Sequence, residues 1–178
     1  WKVYLSQSTP YRLDLNYGIG DAFIDLSGLS IENLKVHSGN ADVNIDYTSA
    51  LGNQIKMDTF FVKVDLGSVD IKKMGLSNAK TVIADVGFGN LTLDYSNSKH
   101  TKSNIKASVG AGTLFIKIPE DNVPVIVKIN DSVLCRVKLS PNFEEITANT
   151  YVNKAYTKES MNLLSFDIDV ALGSIVFK

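Results

Sequence analysis

The chain has 178 residues, of which 44% are hydrophobic and 21% charged, the proportions of a globular domain rather than of a disordered or collagen-like chain. Its 18 Lys and Arg residues are balanced by 19 Asp and Glu residues without a basic cluster, which argues against a nucleic-acid partner. No apolar run reaches the length needed to cross a bilayer, so the sequence predicts no membrane insertion of this segment.

A unit of alternating apolar residues around a bend position, usually glycine, recurs along the chain. Its six copies are Leu13 to Leu26, Leu34 to Tyr47, Phe60 to Lys73, Val82 to Tyr95, Ile105 to Ile118 and Phe166 to Lys178. The bend positions are Gly20, Ala41, Gly67, Gly89, Gly112 and Gly173. Alternation on both sides of the bend predicts two short strands, because successive side chains of a strand point to opposite faces. We expect glycine to supply either a positive φ or room for close backbone approach.

The first five bend positions are 21 to 26 residues apart, about the length of one solenoid coil. We therefore predict an all-β, single-domain β-solenoid over residues 1–178, a stack of about six glycine-turn two-strand repeats. Its expected parts are regular repeats at 13–118, an elaborated closing region at 119–165 and a final repeat at 166–178. We expect the final repeat, together with the closing region, to close the stack, because a terminal coil needs a cap.

The closing region breaks the regular spacing but keeps strand-like runs. Val123 to Ile129 and Val133 to Leu139 predict strands, and Lys158 to Leu163 could form one short helical turn.

One outward column of the aligned repeats consists mostly of charged residues of alternating sign. In chain order it contains Asp25, Asp46, Lys72, Asp94, Lys117 and Lys178. If successive coils stack in register, Asp46, Lys72, Asp94 and Lys117 form a row of alternating sign, and opposite charges on neighbouring strands favour that register.

Several of these segments resemble a known family. The stretches GFGNLTLDY, GAGTLFIKIP, VPVIVKI and FDIDVALGSIVF look like the toast-rack type of bacterial putative adhesins, which are similar to the C-terminal domains of cell-envelope stress-response proteins. The resemblance runs from Leu13 to Phe177 and implies an extracytoplasmic toast-rack stack. It brings no catalytic residue that could be carried over to this chain.

The residues that usually perform chemistry are scattered. His37 and His100 are too far apart in sequence to form a metal site by spacing, and Cys135 lies in an alternating strand, where we expect a small buried or half-buried thiol rather than a nucleophile. The outward carboxylates share their faces with lysines, which favours a solvated surface; they are Asp14, Asp85, Asp167 and Asp169. The sequence therefore predicts no catalytic residue, no metal site and no cofactor.

Two aromatic residues are the best candidates for a binding surface. Phe23 and Phe115 share one outward column with Val176, where the other repeats carry polar residues. Region 119–165 could cover these side chains, or they could form a patch for a partner, and we expect the cover because large exposed apolar patches are uncommon on monomers. Tyr47 and Tyr95 occupy equivalent inward positions and are expected at the edge of the core.

The resemblance, together with the lack of predicted catalytic, metal-binding and cofactor-binding residues, predicts a non-enzymatic extracytoplasmic binding or adhesion module of the bacterial cell surface. One alternative is a sensing or regulatory domain of a cell-envelope signalling protein, and another is a carbohydrate-active β-helix enzyme. The expected partners are a cell-surface protein or a glycan, or a second copy bound through a solenoid edge. Because the chain starts at Trp1 rather than Met, we expect a targeting segment outside it.

Overall fold

The computed structural model describes residues 2–98, 102–119, 122–131 and 134–178. These residues form fourteen β-strands and one short 3₁₀ helix, Met74–Ser77. The strands are β1 Pro10–Asp25, β2 Ser30–Asp46, β3 Met57–Val64, β4 Ser68–Ile71, β5 Ala79–Val86, β6 Asn90–Asp94, β7 Ser103–Val109, β8 Thr113–Lys117, β9 Val125–Asp131, β10 Arg136–Lys138, β11 Phe143–Thr147, β12 Thr150–Asn153, β13 Leu164–Val170 and β14 Ser174–Phe177. The predicted all-β class is confirmed.

The strands stack as parallel layers. Layers 1 and 2 are the long strands β1 and β2, each of which passes through its bend without interruption. Layers 3, 4, 5 and 6 are the strand pairs β3–β4, β5–β6, β7–β8 and β13–β14. First strands pair only with first strands and second strands with second strands, so every layer repeats the same bend. This stacking is the predicted β-solenoid.

The core lies between the two halves of the bent layers. Alternate residues of both halves are buried, as in β7 and β8, where Ile105 and Leu114 are fully inaccessible. Phe166 of β13 and Phe177 of β14 meet edge to face with ring centroids 5.4 Å apart, which shows that the halves face each other. Each such buried side chain stabilises the fold by about 1.5–3 kcal/mol relative to exposure.

The bend glycines are required by the distance between layers. A Cβ built on Gly67, Gly89 or Gly112 would lie 2.2 Å from a carbonyl oxygen of the preceding layer. None of these three has a left-handed φ, so close approach is the reason for glycine there. Gly20 in layer 1 differs, with a φ of 106° and open space around it. Only at Gly20, therefore, is the bend glycine explained by backbone conformation.

The final repeat lies inside the stack, and the expectation that it helps to close the end is wrong. Strand β13 pairs with β7 on one side and with β9 on the other, so Phe166 lies between Ile105 and Val127. The outermost strands come from region 119–165: β9 and β10, then the antiparallel hairpin β11–β12. The large Phe166 and Phe177 side chains are thereby covered from both sides.

Local structure in region 119–165 agrees with its predicted strands and differs at its end. Strand β9 overlaps the first apolar run and extends two residues beyond it to Asp131, and β10 lies within the second run. Residues 158–163 form turns and bends without a helical turn.

The charged column forms only in part. Lys117 Nζ lies 3.1 Å from Asp94 Oδ2, as predicted. Asp46, however, pairs with Lys73 at 3.0 Å, and the prediction that Lys72 is its partner is wrong. Lys73 has a left-handed backbone with φ 53°, and its Nζ also donates to the Tyr47 carbonyl at 2.8 Å. The turn into the 3₁₀ helix thus directs Lys73 towards Asp46.

We expect Lys73→Met to lower the free energy of unfolding by about 1 kcal/mol, because it removes a half-buried ion pair and a charged hydrogen bond. Lys72→Met is the matched control and should change it by less than about 0.3 kcal/mol, since Lys72 is exposed. Urea titration of both variants measures the difference. Equal losses would contradict the assignment of Lys73 as the partner of Asp46.

Candidate binding surface

The outward residues of the first strands form a mixed polar face. One column in register contains Asp14, Lys35, Phe61, Ile83, Lys106, Asp167 and Lys128. The neighbouring column contains Asn16, His37, Lys63, Asp85, Ser108, Asp169 and Asn130. In the first column every charged residue has an opposite charge on an adjacent strand, and in the second column Lys63 lies beside Asp85.

Hydrogen bonds lower the pKa of two carboxylates on or beside this face. Lys35 Nζ donates to Asp14 Oδ2 at 3.1 Å, and this hydrogen bond lowers the pKa of Asp14. His37 Nε2 lies 2.7 Å from Asp65 Oδ2, and the hydrogen bond with His37 lowers the pKa of Asp65. The face therefore offers anionic and cationic groups that already neutralise each other, which suits a ligand with little net charge.

The four candidate carboxylates of a β-helix enzyme do not come together. Asp14 and Asp85 lie three strands apart, about 14 Å at the usual spacing of strands. Asp167 lies beside Lys106, and Asp169 accepts a hydrogen bond from Asn130 at 2.9 Å. Among the residues that the structure describes, no three His, Cys, Asp or Glu side chains are grouped closely enough to hold a metal ion.

A shallow groove of about 290 Å³ crosses this face over β1, β2 and β3. Its lining consists of Arg12, Leu13, Asp14, Asn33, Leu34, Lys35, Thr59 and Phe61. Phe61 supplies a half-buried aromatic ring, and Asn33 and Thr59 supply neutral donors and acceptors beside it. An apolar ring bordered by a few polar groups is a typical arrangement for binding a small molecule.

Phe23 and Phe115 do not form one surface. Phe23 lies in layer 1 and is 83% exposed, whereas Phe115 lies in layer 5 and is half-buried, with Lys178 Nζ 5.7 Å from its ring centroid. Polar residues of layers 2 to 4 separate them by about 19 Å at the usual strand spacing. Region 119–165 lies at the other end of the stack, so the expected cover over Phe23 is wrong.

The other residues that the sequence singled out, Tyr47, Tyr95 and Cys135, are explained by their places in the fold. Tyr47 and Tyr95 are fully buried inward residues, and burial raises the pKa of both phenols well above the ordinary value. Cys135 is half-buried next to β10. His100 lies outside the described residues.

Asp25 at the end of β1 is exposed and Asp94 at the end of β6 is half-buried, and both accept hydrogen bonds from the loop that follows. Burial alone would raise the pKa of Asp25, but hydrogen bonds from Ser27 and Thr48 outweigh it and hold the pKa at about 2. Asp94 has the same arrangement: Ser96 N–H donates to it at 3.0 Å. These carboxylates are explained by the loops and need no ligand.

Comparison with known proteins finds similarity in both sequence and fold. Residues 1–67 match the model of the N-terminal domain of toast_rack, DUF2154. The toast-rack resemblance is thereby confirmed. The chain also shares its fold with the crystal structure of a putative cell adhesion protein from Clostridium sporogenes ATCC 15579, with a TM-score of 0.57, 16% sequence identity and coverage of 94% of this chain and 91% of that chain. No curated protein sequence matches it.

The groove around Phe61 was not among the candidates that the sequence suggested. The feature of the sequence that could have indicated the groove is Phe61, which lies beside Ile83 in an outward column whose other residues are charged. Within the described ranges, no helix is long and apolar enough to cross a membrane.

Proposed function

We propose that this toast-rack chain is a non-enzymatic extracytoplasmic binding module of the bacterial cell surface, and that the groove around Phe61 is its binding site. The observation that carries the proposal is the combination of an aromatic ring with neutral polar groups on a rigid stacked sheet. The adhesion protein with the same fold supports a role in binding rather than in catalysis.

The groove suits a neutral sugar ring. Apolar sugar faces stack on aromatic rings, and Asn33 and Thr59 lie in register beside each other, with hydrogen-bonding groups for hydroxyls. The neighbouring Asp14–Lys35 and Arg12–Glu32 pairs, at 3.1 and 2.9 Å, neutralise their own charges. A strongly charged ligand would have to compete with these pairs, so a neutral glycan is favoured.

We expect Phe61→Ala to weaken glycan binding at least tenfold, because it removes the ring that forms the floor of the groove. A glycan array identifies a bound sugar, and calorimetry with that sugar measures the change in Kd. Phe23→Ala is the matched control, since it removes an equally aromatic but remote and exposed side chain. Thermal melting confirms that both variants fold.

Two outcomes would contradict the proposal. One is binding that is lost in Phe23→Ala but retained in Phe61→Ala, which would move the site to layer 1. The other is the absence of any bound glycan on the array, which would leave the groove without the proposed ligand.

A further inference from the structure

The two ends of the stack are built differently. At the end formed by region 119–165, β9 pairs with the hairpin β11–β12. At the other end, β1 pairs with β2, and its far edge has no strand partner in the described part of the chain. An exposed edge strand of 16 residues is a template for another strand, and solenoids normally cap such a layer.

The alternation of hydrogen bonds identifies the groups at this edge. The inward Leu26 donates its N–H to Asp46 of the following layer at 3.0 Å, while the outward Lys72 donates to Ile45 of the preceding layer at 2.9 Å. Outward residues therefore direct N–H and C=O groups towards the preceding layer. The described part of the chain has no layer before layer 1, so the outward residues of β1 present these groups at the edge: Arg12, Asp14, Asn16, Asp21, Phe23 and Asp25.

The core is open at the same end. The inward side chains of β1 pack on the core but stay partly exposed; they are Leu13, Leu15, Tyr17, Ala22 and Ile24. In layer 2 the corresponding Leu34, Val36 and Val43 are at most 1% exposed. A further layer over β1 would bury apolar area and satisfy backbone groups together.

We propose that this layer is β1 of a second copy of the chain, paired antiparallel about a twofold axis through the bend at Gly18 and Ile19. An axis that bisects the bend places the first half of one copy on the second half of the other. Inward residues then face inward residues, so the two cores become continuous. Such an isologous contact closes after two copies and leaves no new edge.

The charge pattern of β1 selects one register. With Gly18 opposite Ile19 of the second copy, Arg12 lies opposite Asp25, and Asn16 opposite Asp21. The inward pairs are then apolar, with Leu13 opposite Ile24 and Leu15 opposite Ala22.

A shift by two residues in either direction sets Asp14 opposite Asp21 or Asp25 of the second copy. Like charges directly opposite each other on neighbouring strands are destabilising, so these registers are disfavoured.

Sedimentation over a range of protein concentrations tests the dimer. We expect the wild-type chain to dimerise reversibly and Leu15→Lys to be monomeric but still folded, because an inward charge at an open edge is tolerated only while the edge stays in water. Arg12→Glu should raise the dimer Kd at least tenfold. Lys138→Glu, an exposed change at the opposite end, is the control and should leave the dimer unchanged.

Cross-linking tests the register independently of stability. In a Cys135→Ser background, Asn16→Cys and Asp21→Cys should form a disulfide when the two variants are mixed, since opposed Cα atoms lie about 5.5 Å apart. Each variant alone should stay uncross-linked, because its two cysteines would be about 16 Å apart. A monomer at every concentration, a dimer insensitive to Leu15→Lys and Arg12→Glu, or cross-links within a single variant would each overturn the proposal.

Discussion

Replacement of Gly112 by Ala is expected to lower the free energy of unfolding by about 3 kcal/mol or more, at the upper end of the usual cost of overpacking. The added Cβ would lie 2.2 Å from the Gly89 carbonyl oxygen and 2.9 Å from a methyl carbon of Val86. A real Cβ cannot come that close to backbone, so layers 4 and 5 must separate locally and lose hydrogen bonds. Gly89→Ala should behave alike, because its Cβ meets the Gly67 carbonyl at the same distance.

Gly18→Ala is the matched control for this prediction. A Cβ on Gly18 meets no atom within 4 Å, and its φ is not left-handed. The free energy of unfolding of Gly18→Ala should therefore lie within about 0.5 kcal/mol of the wild-type value. Chemical denaturation of the three variants measures the series. A loss of under 1 kcal/mol in Gly112→Ala would show that the layers are not held at this spacing.

Removal of residues 166–178 is expected to abolish cooperative folding. The deleted strands form an internal layer, between β7 and β9 on one side of the core and between β8 and β10 on the other. Their loss removes the buried Phe166, Ile168, Ile175 and Phe177, each worth about 1.5–3 kcal/mol, and separates the outer layer from layer 5. The sum is comparable to the whole stability of an ordinary domain.

Thermal melting with circular dichroism and size-exclusion chromatography checks the truncation. We expect loss of the melting transition together with aggregation through the uncovered layer. Deletion of residues 1–5 is the control: Val3 and Tyr4 are at least 80% exposed, so this variant should melt like the full chain. A monomeric truncation that keeps the melting temperature would show that the last repeat does not hold the outer layer in place.

The sequence by itself determined the unit of the fold. Alternation with a period of two residues sets which side chains point inward, and this alternation is visible in the sequence without knowledge of long-range contacts. The inward parity of Leu34, Ile105 and Phe166, the bend positions and the Asp94–Lys117 pair all followed from aligning one unit on another. These features are local or repeat from one layer to the next, so the position of a residue in one copy of the unit predicts the position of the equivalent residue in the other copies.

The tertiary structure alone decided the order of the layers and the surfaces that result. Nearly identical units can stack in more than one order, and the order depends on long-range burial, which places the large Phe166 and Phe177 side chains inside and the strands of region 119–165 outside. The role of Lys73 depended on a left-handed residue in a turn. The Phe61 groove exists only when layers 1 to 3 are assembled, because its residues lie far apart in sequence. Which strand is left with an open edge depends likewise on the order of the layers, which places β1 at one end of the stack.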